Sequence, residues 1–289
     1  MNKPVLVTGA SGFIGRRLAA RLEKEGLEVL RLSSAEGDLR QEETWARSRG
    51  RSVDHVYHLA GRTYVPESWV NPALFFSTNV LGTANALEFC RQEKASLTFA
   101  SAYVYGRPER LPVAESAPAK PDNPYAQSKY LAEQLCRFYS EHFSVPVGIA
   151  RTFNVYGPGQ SEKFLIPTVI RQAREAPEIV VQDISPKRDF VFVDDVVDAL
   201  VRLGQHRPAL AIYNIASGTS VSVREVVALV QRVLQTNKPI RELGASRQGE
   251  IQEVLGDAGR VRTELGWTPV VSLQNGISAI ARPGTVSGL

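Results

Sequence analysis

Cysteine is nearly missing from this chain: Cys90 and Cys136 are the only two in 289 residues. Two cysteines without close spacing make neither a disulfide framework nor a cysteine-based metal site, and no other metal-ligand pattern stands out. Both fall in helix-like stretches, which suits idle thiols in a reducing compartment. Long apolar runs are lacking too. No stretch approaches the ~20 residues of a membrane span. No signal-peptide pattern precedes the apolar residues 5–7. Charge of one sign is also scarce, since 34 Lys and Arg stand against 30 Asp and Glu for a net +4. The basic residues, such as Arg16, Arg17, Arg47, Arg49 and Arg51, form no block of the kind that binds nucleic acid or a membrane surface. These absences predict a cytoplasmic protein with neither partner. The mild basic excess suits a small anionic ligand. No internal repeat or low-complexity tract is present.

What is present is an ordinary globular composition, 43% hydrophobic and 22% charged. The length fits one large α/β domain, or one with a smaller domain attached. Strand-like runs at residues 5–7, 28–30, 53–59, 97–99 and 147–150 alternate with helical spacing at 14–22, 73–88 and 125–139. That alternation predicts a doubly wound parallel sheet of the Rossmann type. After Arg151 the rhythm loosens. Gly157-Pro-Gly159 breaks the chain, and a helix follows over 167–174. A strand over 189–193 leads into a helix over 196–203, then a strand over 213–215. An amphipathic helix over 222–234 has Ser222 as its N-cap.

Thr8-Gly9-Ala10-Ser11-Gly12-Phe13-Ile14-Gly15 follows the first strand and opens the first helix. Glycines there let the backbone approach a pyrophosphate, and the helix N-terminus offers N–H groups and a positive dipole end. The candidate dinucleotide contacts are therefore Gly9, Ser11, Gly12, Phe13, Ile14 and Gly15. The alternative is a glycine turn that holds no ligand. The end of the second strand discriminates NAD from NADP in such folds, usually with a carboxylate for NAD. Here Val29-Leu-Arg31-Leu-Ser33-Ser34 has no acid until Glu36. Arg31 and Ser33 are candidates for a 2′-phosphate, and Asp38-Leu39 suits a loop beside adenine. The expectation is NAD(P), with NADP tolerated or preferred.

Tyr125-Ala-Gln-Ser-Lys129 sits at the start of a helix, its tyrosine and lysine on one face at i and i+4. A neighbouring ammonium lowers a phenol's pKa, and Lys129 is placed to hold a cofactor ribose as well. A Tyr-x-x-x-Lys pair alone is often a solvated face. Its weight comes from the glycine turn upstream and from Ser101. That serine follows the strand over 97–99, at the strand end where such folds place chemistry. Its hydroxyl would hydrogen-bond a reacting oxygen; otherwise it is a turn serine.

These motifs together resemble the extended short-chain dehydrogenase/reductase family of nucleotide-sugar epimerases, dehydratases and reductases. The resemblance covers nearly the whole chain. It includes the glycine turn, His58-Leu-Ala-Gly61, Asn79-Val-Leu-Gly-Thr83, Ser101 with Val-Tyr-Gly106, and Tyr125 with Lys129. Arg151-Thr-Phe-Asn-Val-Tyr-Gly-Pro158, Arg188-Asp-Phe190, Val193-Asp-Asp195, Asn214-Ile-Ala-Ser-Gly218 and Leu265-Gly-Trp-Thr-Pro269 extend it. It implies Tyr125 as general acid/base, Lys129 as its modulator and ribose ligand, and Ser101 as holder of the sugar oxygen. Leu59, Ala60 and Gly61 would line the cofactor. Asn154, Phe164, Arg188 and Arg247 would contact the nucleotide-diphosphate sugar. The cofactor domain would span 1–156, rejoined by about 189–216. The substrate domain would comprise 157–188 and 217–289. The family often pairs two subunits through a four-helix bundle, which the helices at 73–88 and 125–139 would form.

Dehydratases of the family carry Asp-Glu after the serine or threonine position; this chain has Ala102 and Tyr103. Val65-Pro-Glu-Ser-Trp69 with Asn71-Pro72, and Pro158-Gly-Gln160 with Phe164, look most like GDP-6-deoxy-4-keto-hexose reductases. The expected activity is hydride transfer at C4 of such a sugar, by a reductase. The alternatives are a 4-epimerase with tightly bound NAD and a non-catalytic cofactor-binding module. Tyr103 departs from the family pattern; packing is its expected role, and a substrate contact or a second proton donor are the alternatives.

Overall fold

The computed structural model describes residues 3–244 and 250–281, so Arg247 lies outside the described residues. The strands are β1 (Val5–Thr8), β2 (Val29–Leu32), β3 (His55–His58), β4 (Ser96–Ala102), β5 (Val147–Thr152), β6 (Asn154–Tyr156), β7 (Ile179–Val181), β8 (Lys187–Phe192), β9 (Leu210–Ile215), β10 (Ser220–Ser222) and β11 (Ile240–Glu242). The helices are α1 (Gly15–Lys24), α2 (Glu42–Ala46), α3 (Val65–Val70), α4 (Pro72–Phe76), α5 (Gly82–Glu93), α6 (Pro124–Phe143), α7 (Leu165–Glu175), α8 (Val193–His206), α9 (Val223–Leu234), α10 (Gly259–Leu265) and α11 (Leu273–Ala281). A π-helical turn, Ser77–Leu81, joins α4 to α5.

Six strands form one parallel sheet in the order β2-β1-β3-β4-β5-β9. β1 and β3 are buried at every position, as strands covered on both faces must be. Leu18 and Leu22 of α1 and Val196, Leu200 and Leu203 of α8 cover one face. Trp45, Leu87, Phe89, Ala132 and the two cysteines, from α2, α5 and α6, cover the other. This is the expected Rossmann-type sheet.

A smaller lobe has its own core, made by Ile166, Val169 and Ile170 of α7, Val226 and Val230 of α9, and Ile277 of α11. Its strands form a three-stranded sheet, β10-β8-β6, and a β7-β11 pair. The strand expected near 189–193 therefore belongs to the small lobe: Asn154, Val155 and Tyr156 pair with Phe190, Val191 and Phe192. The chain re-enters the large sheet only through α8 and β9, not from 189. Asp189, fully buried, fastens the lobe. Its carboxylate accepts from the Ser217 amide and hydroxyl and from the Gly218 and Gly256 amides.

Candidate active site

β1, β3 and β4 end on one edge of the sheet, and the candidate residues gather there. Gly9 has φ +67, a conformation glycine adopts freely. A Cβ on Gly9 would lie 2.9 Å from the Ala60 nitrogen, and one on Gly15 only 2.1 Å from the Gly9 oxygen. The turn is thus closed on itself and pressed against the end of β3. No side chain caps α1, and its first turn holds no acid. Its opening N–H groups therefore have no side-chain partner, as a phosphate-binding helix start requires. Ser11 and Gly12 are exposed on the turn, with Phe13 and Ile14 half-buried behind them.

A hydrogen-bonded chain holds these strand ends in register. His58 Nδ1 meets Thr8 Oγ1 at 2.8 Å and Nε2 meets Thr83 Oγ1 at 3.2 Å, while the Ala60 amide donates to Thr8 Oγ1. Burial, and then the charge of Lys129, pushes His58 down to about 3, so its ring is neutral. The π turn aims Asn79 at the loop after β3. Its Oδ1 accepts from the Arg62 amide at 2.8 Å, and its Nδ2 donates to the Arg62 carbonyl and to Ser128 Oγ on α6.

α6 begins sharply because Asn123 accepts from the Ala126 amide at 2.9 Å and Pro124 occupies the first turn. Tyr125 and Lys129 therefore fall in its first two turns. Lys129 is buried as a residue, with its ammonium 4.4 Å from the centre of the Phe99 ring. A Cβ on Gly61 would come within 3.8 Å of Lys129 Nζ, which puts the lysine beside the Ala60-Gly61 edge. Neither Lys129 Nζ nor the Tyr125 hydroxyl has a hydrogen-bond or ion-pair partner among the described residues. Burying an ammonium unpaired is costly, and burial pulls Lys129 down to about 8. Burial raises Tyr125 above the usual phenol range, so it holds its proton at neutral pH. Phe75 packs edge-on against the Tyr125 ring. A cofactor ribose presents hydroxyls that match an orphaned ammonium, and the glycine cradle leaves room for a pyrophosphate. The residues present therefore fit a nicotinamide dinucleotide.

Ser101, at the end of β4, is buried and donates to Glu133 Oε1 at 2.5 Å. Glu133 lies one α6 turn beyond Lys129 and is itself gripped by Arg151, with Nη2 to Oε2 at 2.6 Å and Nε to Oε1 at 3.0 Å. Arg151 also stacks on Tyr105, whose hydroxyl donates to Asn214. The Ser101 proton is thus engaged, and its oxygen has acceptor capacity to spare.

The remaining candidates are more dispersed. Arg31, exposed, is held by Glu23 with Nη2 to Oε2 at 2.8 Å. Ser33 donates its amide and hydroxyl to Glu36. An acid therefore does stand at the end of β2, which residue order alone concealed. Asp38 pairs with Arg40, and the Leu39 carbonyl accepts from Trp45 and Asn85. In the small lobe Asn154 Nδ2 donates to the Asp189 carbonyl. Arg188 is engaged by the Glu250 carboxylate and the Ile251 carbonyl. Phe164, at the start of α7, meets Tyr64 edge-on across the two lobes. Tyr103 packs between Tyr105 and Phe153, its hydroxyl donating to the Gly106 carbonyl. Glu133 stands in no motif that marks it. Its signal was its place at i+4 from Lys129 and i+8 from Tyr125. His58, Asn79 and Arg151 stood inside recognised motifs without a role.

A glycine turn after the first strand and a Tyr–Lys helix start at the carboxyl edge of a parallel sheet define a Rossmann-fold oxidoreductase. The chain belongs to the NAD dependent epimerase/dehydratase family, whose model matches residues 5–216. It is 36% identical to the GDP-6-deoxy-D-mannose reductase of Pseudomonas aeruginosa, over 97% of this chain and 96% of that one. It is 34% identical to a UDP-glucose 4-epimerase of Streptomyces lividans, over 93% and 92%. Among solved structures, RMD from Pseudomonas aeruginosa complexed with NADPH matches with a TM-score of 0.89 at 34% identity, covering 97% of this chain and 98% of that one. The UDP-glucose 4-epimerase of Thermus thermophilus in complex with NAD matches with a TM-score of 0.89 at 30% identity, covering 98% and 100%.

Proposed function

We propose that this enzyme is a nucleotide-sugar reductase acting at C4 of an NDP-4-keto-6-deoxyhexose. The observation that carries the reading is the pair of unpartnered groups on α6, Tyr125 and Lys129, facing the edge where the glycine turn lies. A bound NAD(P)H supplies the hydride. The protein's part is to place the C4 oxygen near Tyr125 and to give it a proton. Tyr125 holds its proton at neutral pH, as an acid for ketone reduction must. The resemblance to the Pseudomonas reductase points the same way.

Lys129 holds the ribose and fixes the tyrosine's surroundings. Ser101 anchors the sugar oxygen, turning its hydroxyl from Glu133 to a C4 ketone; Asn154, Phe164 and Arg188 are the substrate contacts of the smaller lobe, and Arg247 is a further contact. Arg188 meets a diphosphate by exchanging Glu250 for it, a swap of one charge-assisted partner for another. The dehydratase branch is disfavoured because Ala102 and Tyr103 supply neither the acid nor the base that water elimination needs. A 4-epimerase is the second reading. Ser101, with its proton committed to Glu133, presents an acceptor that suits a substrate hydroxyl.

The two readings separate in one assay. Purified enzyme with NADH or NADPH and a GDP-4-keto-6-deoxyhexose should oxidise one cofactor per sugar consumed. Turnover of UDP-glucose without added cofactor, and none of the keto sugar, overturns the reductase.

The same proposal includes a homodimer in the cytoplasm. Leu131, Phe138 and Phe143 of α6 and Leu81 before α5 are exposed apolar residues, and Arg91 of α5 lies over the Phe143 ring. A second copy laid on α5 and α6 would cover them. Light scattering on the Phe138→Glu variant should show a monomer where the parent chain is a dimer. No described helix is long and apolar enough to cross a membrane.

A further inference from the structure

Behind Ser101 lies a carboxylate that a simple anchor for the sugar oxygen does not need. Ser101, Glu133 and Arg151 are 3%, 2% and 4% exposed, so their polar groups answer to one another and not to water. The β4–β5 ladder sets Ser101 beside Arg151, and Thr152 Oγ1 donates to the Ser101 carbonyl at 3.0 Å. The Ser101 hydroxyl donates to Glu133 Oε1 at 2.5 Å and has no other hydrogen-bond partner among the described residues. Arg151 Nε donates to the same oxygen at 3.0 Å and to Oε2 at 3.2 Å, and Nη2 donates to Oε2 at 2.6 Å. Arg151 therefore fixes the carboxylate, and Oε1 faces Ser101.

A serine hydroxyl has one proton to donate and two lone pairs to accept with. While its proton lies on Glu133, Ser101 can only accept. A ketone can only accept as well, so to bind here it must draw that proton out of a charge-assisted bond. An alcohol has a proton to give and meets the Ser101 oxygen as it stands. Reduction at C4 turns the first kind of ligand into the second at a single atom.

We propose that Glu133 is a positioning residue that reverses the polarity of Ser101 during turnover, releasing the serine hydroxyl to a C4 ketone and taking it back once C4 carries an alcohol. This rests on the reading that Ser101 meets the C4 oxygen of a nucleotide sugar. Only hydrogen bonds change partners: Ser101 keeps its proton and turns about its Cβ–Oγ bond. A carboxylate suits the task because it offers acceptors alone, and Arg151 holds it in place while the serine faces the cleft. The ligand-free site is thus set for the alcohol, and a ketone binds against that setting.

Glu133→Gln separates the two ligands. Oε2 meets both Arg151 nitrogens, so the amide oxygen takes that place and the amide nitrogen takes the place of Oε1, facing Ser101. Ser101 must then accept from residue 133 and turn its own proton to the cleft. Glu133→Met with Arg151→Met, a whole-pair replacement that is often neutral for stability, likewise leaves Ser101 no inner acceptor. Calorimetry on the full chain reads affinity without turnover when a GDP-4-keto-6-deoxyhexose is paired with NAD(P)+ and its C4 alcohol with NAD(P)H. Both variants should bind the ketone about fivefold or more tighter than the parent, and the alcohol about fivefold or more weaker. In a Ser101→Ala background Glu133→Gln should move neither affinity. Both ligands weakened alike, no shift at all, or a shift that persists without Ser101 overturns the role of Glu133 and leaves the reductase standing. A parent that binds neither sugar nucleotide overturns both.

Discussion

Lys129 shows most plainly the conflict between stability and use. The residue is buried beside Phe99 with no anion in contact with its ammonium, and burial lowers its pKa from 10.5 to about 8. At ~1.4 kcal/mol per unit, that burial costs the ligand-free fold about 3 kcal/mol. The sign follows from a folded-state pKa below the unfolded one. The cost is present in full below pH about 8 and fades as pH rises toward 10.5. Lys129→Met should therefore raise the ligand-free melting temperature at pH 7 and abolish turnover, the trade expected of a functional site. An unchanged or lower melting temperature would show that the ammonium is compensated. The parent enzyme's kcat/KM should fall as pH rises through about 8, where the ligand-free lysine loses its proton.

Glu133 makes the opposite prediction. It is ion-paired to buried Arg151, so removing it strands a cation. Glu133→Ala should cost roughly 3–5 kcal/mol in denaturant unfolding. A loss below ~1 kcal/mol would mean that water reaches the pair.

At the scale of elements, sequence and structure agree where a local rule decides. The glycine turn was legible because positions 9 and 15 accept only glycine. Gly15→Ala would drive a Cβ to 2.1 Å from the Gly9 oxygen, which is backbone and cannot step aside. That variant should lose cofactor affinity and at least ~1 kcal/mol of stability, measured by nucleotide titration and thermal melting. Wild-type behaviour in both would mean that the turn is not closed as described. Asn123 and Pro124 likewise announce the start of α6, and the capping box of Ser222 with Glu225 starts α9 as expected.

What was illegible depends on contacts far apart in sequence. Glu36 reaches the end of β2 by a fold-back that no periodicity signals. Ser101 meets Glu133 across 32 residues. Asn79 reaches Ser128 because a π turn re-aims it, and such turns recur at functional sites. The strand Lys187–Phe192 reads like another member of the parallel sheet, yet its partners are β6 and β10, so only the tertiary fold assigns it.

At the scale of the molecule, a stiff sheet presents a glycine cradle, an orphaned lysine and a protonated tyrosine along one edge. A second lobe packs beside it. Tyr64 and Phe164 touch across the divide. The large domain was readable because every strand–helix repeat carries its own pattern. The small lobe was not, because its described strands are three residues long in four of five cases and come from scattered segments.

The central claim is that this edge delivers hydride to C4 of a keto sugar while Tyr125 donates the proton. Its most direct test is NMR of the product formed from a GDP-4-keto-6-deoxyhexose and NADH carrying deuterium at both C4 positions of the nicotinamide. The account predicts deuterium at C4 of the sugar, one label per cofactor oxidised, and loss of ~100-fold or more in rate for Tyr125→Phe. Deuterium absent from C4, or full activity in Tyr125→Phe, would contradict it.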